Sequence, residues 1–239
     1  MPTKEDLLLE KRRYGLDQTI SPFELEQLNI GTPVQKIIGY VEMADVVINL
    51  DHNVLIPRYE TEELILKVVN DIKIQDNLDI LDLCCGSGFI GLAIKKAKPN
   101  CNLILSDISN EAILQSQKNA KLNQLKVDII ESDLFNNIEP NSLDIIVSNP
   151  PYLDVRELIS DSVLNFEPHL ALFADDQGLY FYKKIIEQAP KYLKNQKGLL
   201  YFEINPLHLE YWEDLATKMD LEIINDIANL ARIVKIKFK

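Results

Sequence analysis

The segment Asn149-Pro150-Pro151-Tyr152 ends an apolar run that begins at Asp144, and these residue types in this order suit the holding of an amino group. The Asn149 amide offers an acceptor oxygen and two donors, and a proline carbonyl has no neighbouring N–H competing for it. Together they can grip an –NH₂ group by both hydrogens. Two consecutive prolines remove two backbone donors and fix φ at about −65°, so the chain leaves the run in a predetermined direction. Tyr152 offers a flat aromatic wall, suited to a planar group or a sulfonium cation. The plainer reading is a strand-to-loop turn, because Asn-Pro commonly opens one. The first reading makes Asn149, Pro150, Pro151 and Tyr152 the expected catalytic and substrate-binding residues.

A second chemical segment runs Ile80-Leu81-Asp82-Leu83-Cys84-Cys85-Gly86-Ser87-Gly88-Phe89-Ile90-Gly91. It reads as a strand, a glycine-bearing turn and a helix. The spacing Gly86-x-Gly88-x-x-Gly91 lets backbone approach a nucleotide closely, and Asp107 ends the next strand, where a ribose hydroxyl pair is held. By this motif alone NAD and S-adenosylmethionine compete. Asp82 favours the latter, because an acid there can anchor the turn and meet the amino group of a methionine moiety. Ser132-Asp133-Leu134-Phe135 closes the third strand. Asp133 can accept from an exocyclic amine, and Leu134 or Phe135 can cover an adenine face. The plainer reading is that these residues end a strand and pack.

The elements that position these residues alternate. Strand-like segments at 78–83, 103–106, 127–131 and 143–148 are separated by helical patterns at 89–97 and 111–122. Such alternation predicts an α/β fold with a mostly parallel sheet covered by helices on both faces. After a long loop come a helix at 179–193, a strand at 198–204 and a helix at 207–219. Segments 221–225 and 233–238 then form an antiparallel pair at one sheet edge. Upstream, residues 3–30 read as one or two short helices and 34–56 as a hairpin-like alternation. Thr61, followed by Glu62 and Glu63, opens a helix reaching about Asp71.

Composition is that of an ordinary globular chain: 239 residues, 46% hydrophobic and 26% charged. No apolar run reaches membrane-spanning length, and the N-terminus lacks the shape of a signal peptide. A cytoplasmic protein without membrane contact is expected. Cys84, Cys85 and Cys101 have no metal-ligand spacing or disulfide framework, and His52, His169 and His208 are scattered. No metal is expected. Net charge is −12, which disfavours a nucleic-acid substrate.

Over roughly residues 31–239 the chain resembles the class I S-adenosylmethionine-dependent methyltransferases with a Rossmann-like seven-stranded sheet. Within them it resembles the protein-(glutamine-N5) methyltransferases of peptide-chain release factors. The resemblance rests on Leu55-Ile56-Pro57-Arg58-Tyr59-Glu60-Thr61-Glu62, Leu81 to Gly88, Ser148 to Tyr152, Glu167-Pro168-His169-Leu170-Ala171-Leu172 and Asp226 to Arg232. It implies methyl transfer to the glutamine of a Gly-Gly-Gln loop, with a release factor as protein partner and the chain acting as a monomer. It implies cofactor contacts from Asp82, Cys84, Cys85, Gly86, Ser87, Gly88, Asp107, Asp133, Leu134 and Asn149, and substrate contacts from Arg58 and Glu62. Three parts are expected: a reduced helical segment at 1–30, a β-hairpin linker at 31–57 and the methyltransferase domain at 58–239. The chain departs from the family pattern at Tyr59, where proline is usual, at Cys84-Cys85, where Gly-Thr is usual, and before Arg232, where a glycine is usual. The rivals are a ribosomal-protein glutamine methyltransferase, an adenine-N6 nucleic-acid methyltransferase, a non-catalytic cofactor-binding module and, weakest, an NAD oxidoreductase.

Overall fold

The computed structural model describes residues 1–73 and 76–239. Its main body is a seven-stranded sheet built from the alternation expected above. In chain order the elements are β3 (Asp79–Leu83), α5 (Phe89–Ala97), β4 (Asn102–Asp107), α6 (Asn110–Leu122), β5 (Asp128–Glu131) and β6 (Ile145–Ser148). After α7 (Asp161–Phe166) follow α8 (Tyr180–Tyr192), β7 (Gly198–Glu203), α9 (Leu209–Ala216), β8 (Leu221–Asn225) and β9 (Ala231–Phe238). The strands lie in the order β5-β4-β3-β6-β7-β9-β8. The first five run parallel, and β9 pairs antiparallel with both β7 and β8. The last two segments thus form the expected antiparallel pair, with the final one inserted beside β7.

Side chains alternate between the two faces, and both faces are buried. Ile80, Ile145 and Val147 join one core cluster with α4 (Thr61–Asp71) and α5. Leu81, Leu83 and Ile146 join the other with α8 and Trp212 of α9. Chain order builds β4 and β5 to one side of β3 and then crosses back to place β6 on the other. The order of strands therefore reverses at β3, where α/β sheets open a crevice at their carboxyl ends.

Upstream lie α1 (Lys4–Arg13), α2 (Pro22–Asn29), α3 (Val34–Ile38), β1 (Tyr40–Met43) and β2 (Val46–Asn49). Capping boxes start the first two helices, Thr3 with Asp6 and Ser21 with Glu24. Leu7, Leu28 and Val34 form a small core of their own. The hairpin is shorter than the alternation suggested. Residues Val34–Ile38 are helical, between Pro33 at the N-cap and Gly39, whose φ of 90° closes the turn. The outer edge of β2 is closed by α6 and its C-cap, since Asn123 Oδ1 accepts from Val47 N–H and Asn119 Oδ1 from Asn49 N–H, both at 2.9 Å. That prevents strand addition at an open edge. The long loop after β6 also holds a helix, α7, capped by Ser160.

Candidate active site

Strand register brings the chemical residues to one edge. Leu83 of β3 lies opposite Ser106 of β4 and Ser148 of β6, and Asp107 lies opposite Glu131 of β5. The residues that follow each strand therefore meet: Cys84 to Gly88, Asp107, Ser132 to Leu134, and Asn149. A cavity of about 330 Å³ opens there, within the range of small-molecule sites. Cys84, Cys85, Gly86, Ser87, Asp107, Asp133, Leu134, Asn149, Pro151 and Arg58 all line it.

The turn is held by carboxylates. One Asp107 oxygen accepts from Gly86 N–H and the other from Ser109 N–H, both at 2.9 Å. Burial raises the Asp107 pKa, as it does for a carboxylate in a partly enclosed site. Asp82 is fully buried, and its Oδ2 accepts from Gly91 N–H at 2.8 Å. A Cβ at position 91 would lie 2.3 Å from Leu105 and 3.0 Å from Asp82 Oδ2, which is why glycine stands there. Asp82 thus braces the turn from behind. Its Oδ1 is buried without a hydrogen-bond partner among the described residues, and burial pushes its pKa up to about 7.

Cys84 adopts φ 61° at the end of β3, a left-handed conformation that costs a non-glycine residue roughly 1–2 kcal/mol. Burial, with Asp107 nearby, drives its pKa upward. It remains a neutral thiol. Gly88 begins α5 at φ 80°, and a Cβ there would touch Ser116 Oγ at 3.0 Å. It supports the turn without lining the cavity.

Several expected contacts are arranged differently. Pro150 is buried between Asn149 and Pro151, which line the cavity. Tyr152 is not among the lining residues. Its ring packs against the core cluster on the α8 face of the sheet, and its hydroxyl donates to Glu203 at 3.4 Å. Burial, with the Glu203 charge beside it, raises its pKa. Phe135 is fully buried and stacks on Tyr192 at 4.5 Å, leaving Leu134 as the apolar face. Glu62 also lies off the cavity, accepting from Ala44 N–H at 2.7 Å across the hairpin turn. Arg58 does line it. Its guanidinium meets Glu167 Oε1 at 2.6 Å, and Glu167 Oε2 accepts from Ile56 N–H at 2.9 Å.

Three further residues, to which the sequence alone assigns no site role, complete the site. Glu167 is nearly solvent-free and joins the Ile56–Arg58 segment to Pro168 to Ala171, parts of which form the opposite wall. Glu203, fully buried with its pKa raised by burial, accepts from Thr61 Oγ1 at 2.6 Å. Thr61 begins α4 as expected, yet its hydroxyl serves this link rather than a cap. The available signal was a carboxylate ending the apolar run of β7. Phe181, which lines the cavity from α8, had none.

The donor set fits S-adenosylmethionine. Asp107 stands where a ribose diol is held, and Leu134, Ile108 and Ala112 offer apolar surface for a flat base. With Asp133 also present, the cavity carries two carboxylates against the single cation of Arg58, suiting a positively charged cofactor. Among the described residues no group of His, Cys, Asp or Glu could hold a metal ion. No helix among them is long and apolar enough to cross a membrane.

The methyltransferase small domain family matches residues 61–166. A release factor glutamine methyltransferase of Lactococcus lactis subsp. lactis is 38% identical over 219 residues, covering 89% of this chain and 80% of that protein. A ribosomal protein uL3 glutamine methyltransferase of Francisella tularensis subsp. tularensis is 36% identical over 205 residues, covering 83% and 63%. A methyltransferase structure from Pyrococcus furiosus superposes with a TM-score of 0.61 at 15% identity, covering 92% of this chain and 99% of that one. It shares the fold. With the cavity, the sheet order and these similarities together, the chain belongs to the release factor glutamine methyltransferase family.

Proposed function

We propose that the protein transfers a methyl group from S-adenosylmethionine to the side-chain amide N5 of the glutamine in the Gly-Gly-Gln motif of peptide-chain release factors. The observation that carries this reading is the adjacency of Asn149 to the Cys84–Ser87 turn across the β3–β6 pair, both lining one cavity. Bound there, S-adenosylmethionine supplies an electrophilic methyl carbon on a sulfonium.

The obstacle is the delocalised lone pair of an amide nitrogen. Asn149 Oδ1 and the Pro150 carbonyl accept the two amide hydrogens, turn the nitrogen toward the cavity and favour the positive charge it gains as it attacks. Transfer would exchange the cofactor's S–C bond for the new N–C bond, and the nitrogen would then give a proton to water. No strong base is required. No histidine lines the cavity among the described residues. Ser148, whose Oγ donates to Leu83 O at 2.6 Å, fixes the start of the Asn-Pro-Pro segment against β3. The positions of the acceptors are thereby set before substrate arrives.

The similarity to a uL3 glutamine methyltransferase favours a second reading in which the same amide chemistry serves a ribosomal protein. The test is transfer of label from S-adenosylmethionine to purified release factor, with a Gly-Gly-Ala variant, ribosomal protein uL3 and a structured RNA in parallel. Label on the wild-type factor alone supports the reading. Label on uL3 alone supports the second, and label on RNA contradicts both.

A further inference from the structure

The Glu10 carboxylate lies in an exposed helix yet is only 4% accessible. It accepts from Tyr14 Oη at 2.8 Å and from Tyr59 Oη at 2.8 Å, while Arg13 approaches it to 3.4 Å. The Arg13 guanidinium also sits 4.5 Å over the Tyr59 ring. This cluster ties α1 to the residue next to Arg58. A second tie joins the same N-terminal segment to α7: Ser162 Oγ donates to Gly31 O at 2.7 Å and Lys36 Nζ donates to Phe166 O. Between the two ties lies a groove of about 430 Å³, lined by Leu9 and Arg13 of α1, Val163 of α7, and Arg58, Tyr59 and Glu167.

Arg58 therefore belongs to both the groove and the cofactor cavity. One of its N–H groups is engaged by Glu167, and the rest of its guanidinium fork has donors left for carbonyl oxygens of an extended chain. We infer that the groove receives the release-factor residues flanking the target glutamine, and that Tyr59 and Glu10 are positioning residues that hold its walls and Arg58 in place. This rests on the function proposed above. The Tyr59 hydroxyl, which donates to Glu10, is the group on which the arrangement depends.

Tyr59→Phe keeps the ring over Arg13 and removes only that hydroxyl. Its KM for the release factor is expected to rise about tenfold, with kcat and cofactor Kd unchanged and the melting temperature close to that of the parent. Glu10→Gln, which keeps an acceptor, is expected to show a smaller rise. An unchanged KM in Tyr59→Phe overturns the inference. So does a rise in KM accompanied by losses of kcat, cofactor affinity and melting temperature, which would mark the cluster as a fold support only. If the wild-type enzyme modifies the release factor normally and Tyr59→Phe does too, the groove assignment alone fails. If the wild-type enzyme leaves the release factor unmodified, the proposed function fails and takes the groove assignment with it.

Discussion

The cofactor wall of the cavity comes from residues nearly consecutive in the chain, Cys84 to Ser87, joined by the ends of neighbouring parallel strands. The facing wall is assembled from Asn53–Thr61 and Pro168–Ala171, and the ion pair that joins those segments spans 109 positions. A turn made locally is held by backbone amides and two aspartates. A wall made from distant segments depends on a few buried carboxylates, Glu167 and Glu203, each bridging partners far apart in sequence. Cofactor binding is therefore expected to tolerate damage to the substrate wall, and each wall has its own experimental signature.

The largest separation between the two is expected at Asn149. Asn149→Ala should lower kcat about 10²–10³-fold, the usual effect of removing one preorganised polar contact, while equilibrium dialysis finds cofactor affinity within about twofold. Comparable losses in both would erase the distinction between the walls. Asp107→Ala should show the reverse pattern, with cofactor affinity falling by about 2 kcal/mol through loss of a charged acceptor. Saturating cofactor should then restore most of kcat. Arg58→Glu sets two carboxylates together in the substrate wall. Because Arg58 is about one third exposed, the expected cost is about 1–2 kcal/mol, read as a raised KM for the release factor with cofactor affinity intact.

The smallest effect concerns Asp82. Burial raises its pKa to about 7 from 3.8, so between roughly pH 4 and 7 the folded protein binds a proton that the unfolded chain releases. Stability from this residue falls as pH rises through that window. Asp82→Asn has no proton to lose, and its melting temperature should decline less between pH 5 and 7, by a few degrees at most. Equal slopes for the two proteins would show that Asp82 is ionised throughout.

The same contrast explains what could be read in advance. Asp107, Asp133 and the Gly86–Gly88 turn were legible because strand, turn and acid follow one another at short range, and the parallel sheet was legible from regular alternation. The position of Tyr152 after Pro151 is explicit in the sequence and suggests a cavity wall. Its inward rotation toward Glu203, 51 residues away, is not. Phe135 goes to the core by stacking on Tyr192, another contact that periodicity does not encode. Val34–Ile38 carries the apolar residues of a strand, but Pro33 and the positive φ of Gly39 stop it at one and a half helical turns. Glu62, expected beside the substrate, instead fastens the hairpin through Ala44.

The position of the added methyl group decides whether the target is the glutamine amide. After reaction with S-adenosylmethionine, the release-factor peptide that contains Gly-Gly-Gln would be isolated and fragmented in a mass spectrometer. A single methyl group on the side-chain nitrogen of that glutamine is expected. A methyl group on a carboxylate, on a lysine or on a glutamine outside the motif would contradict that expectation.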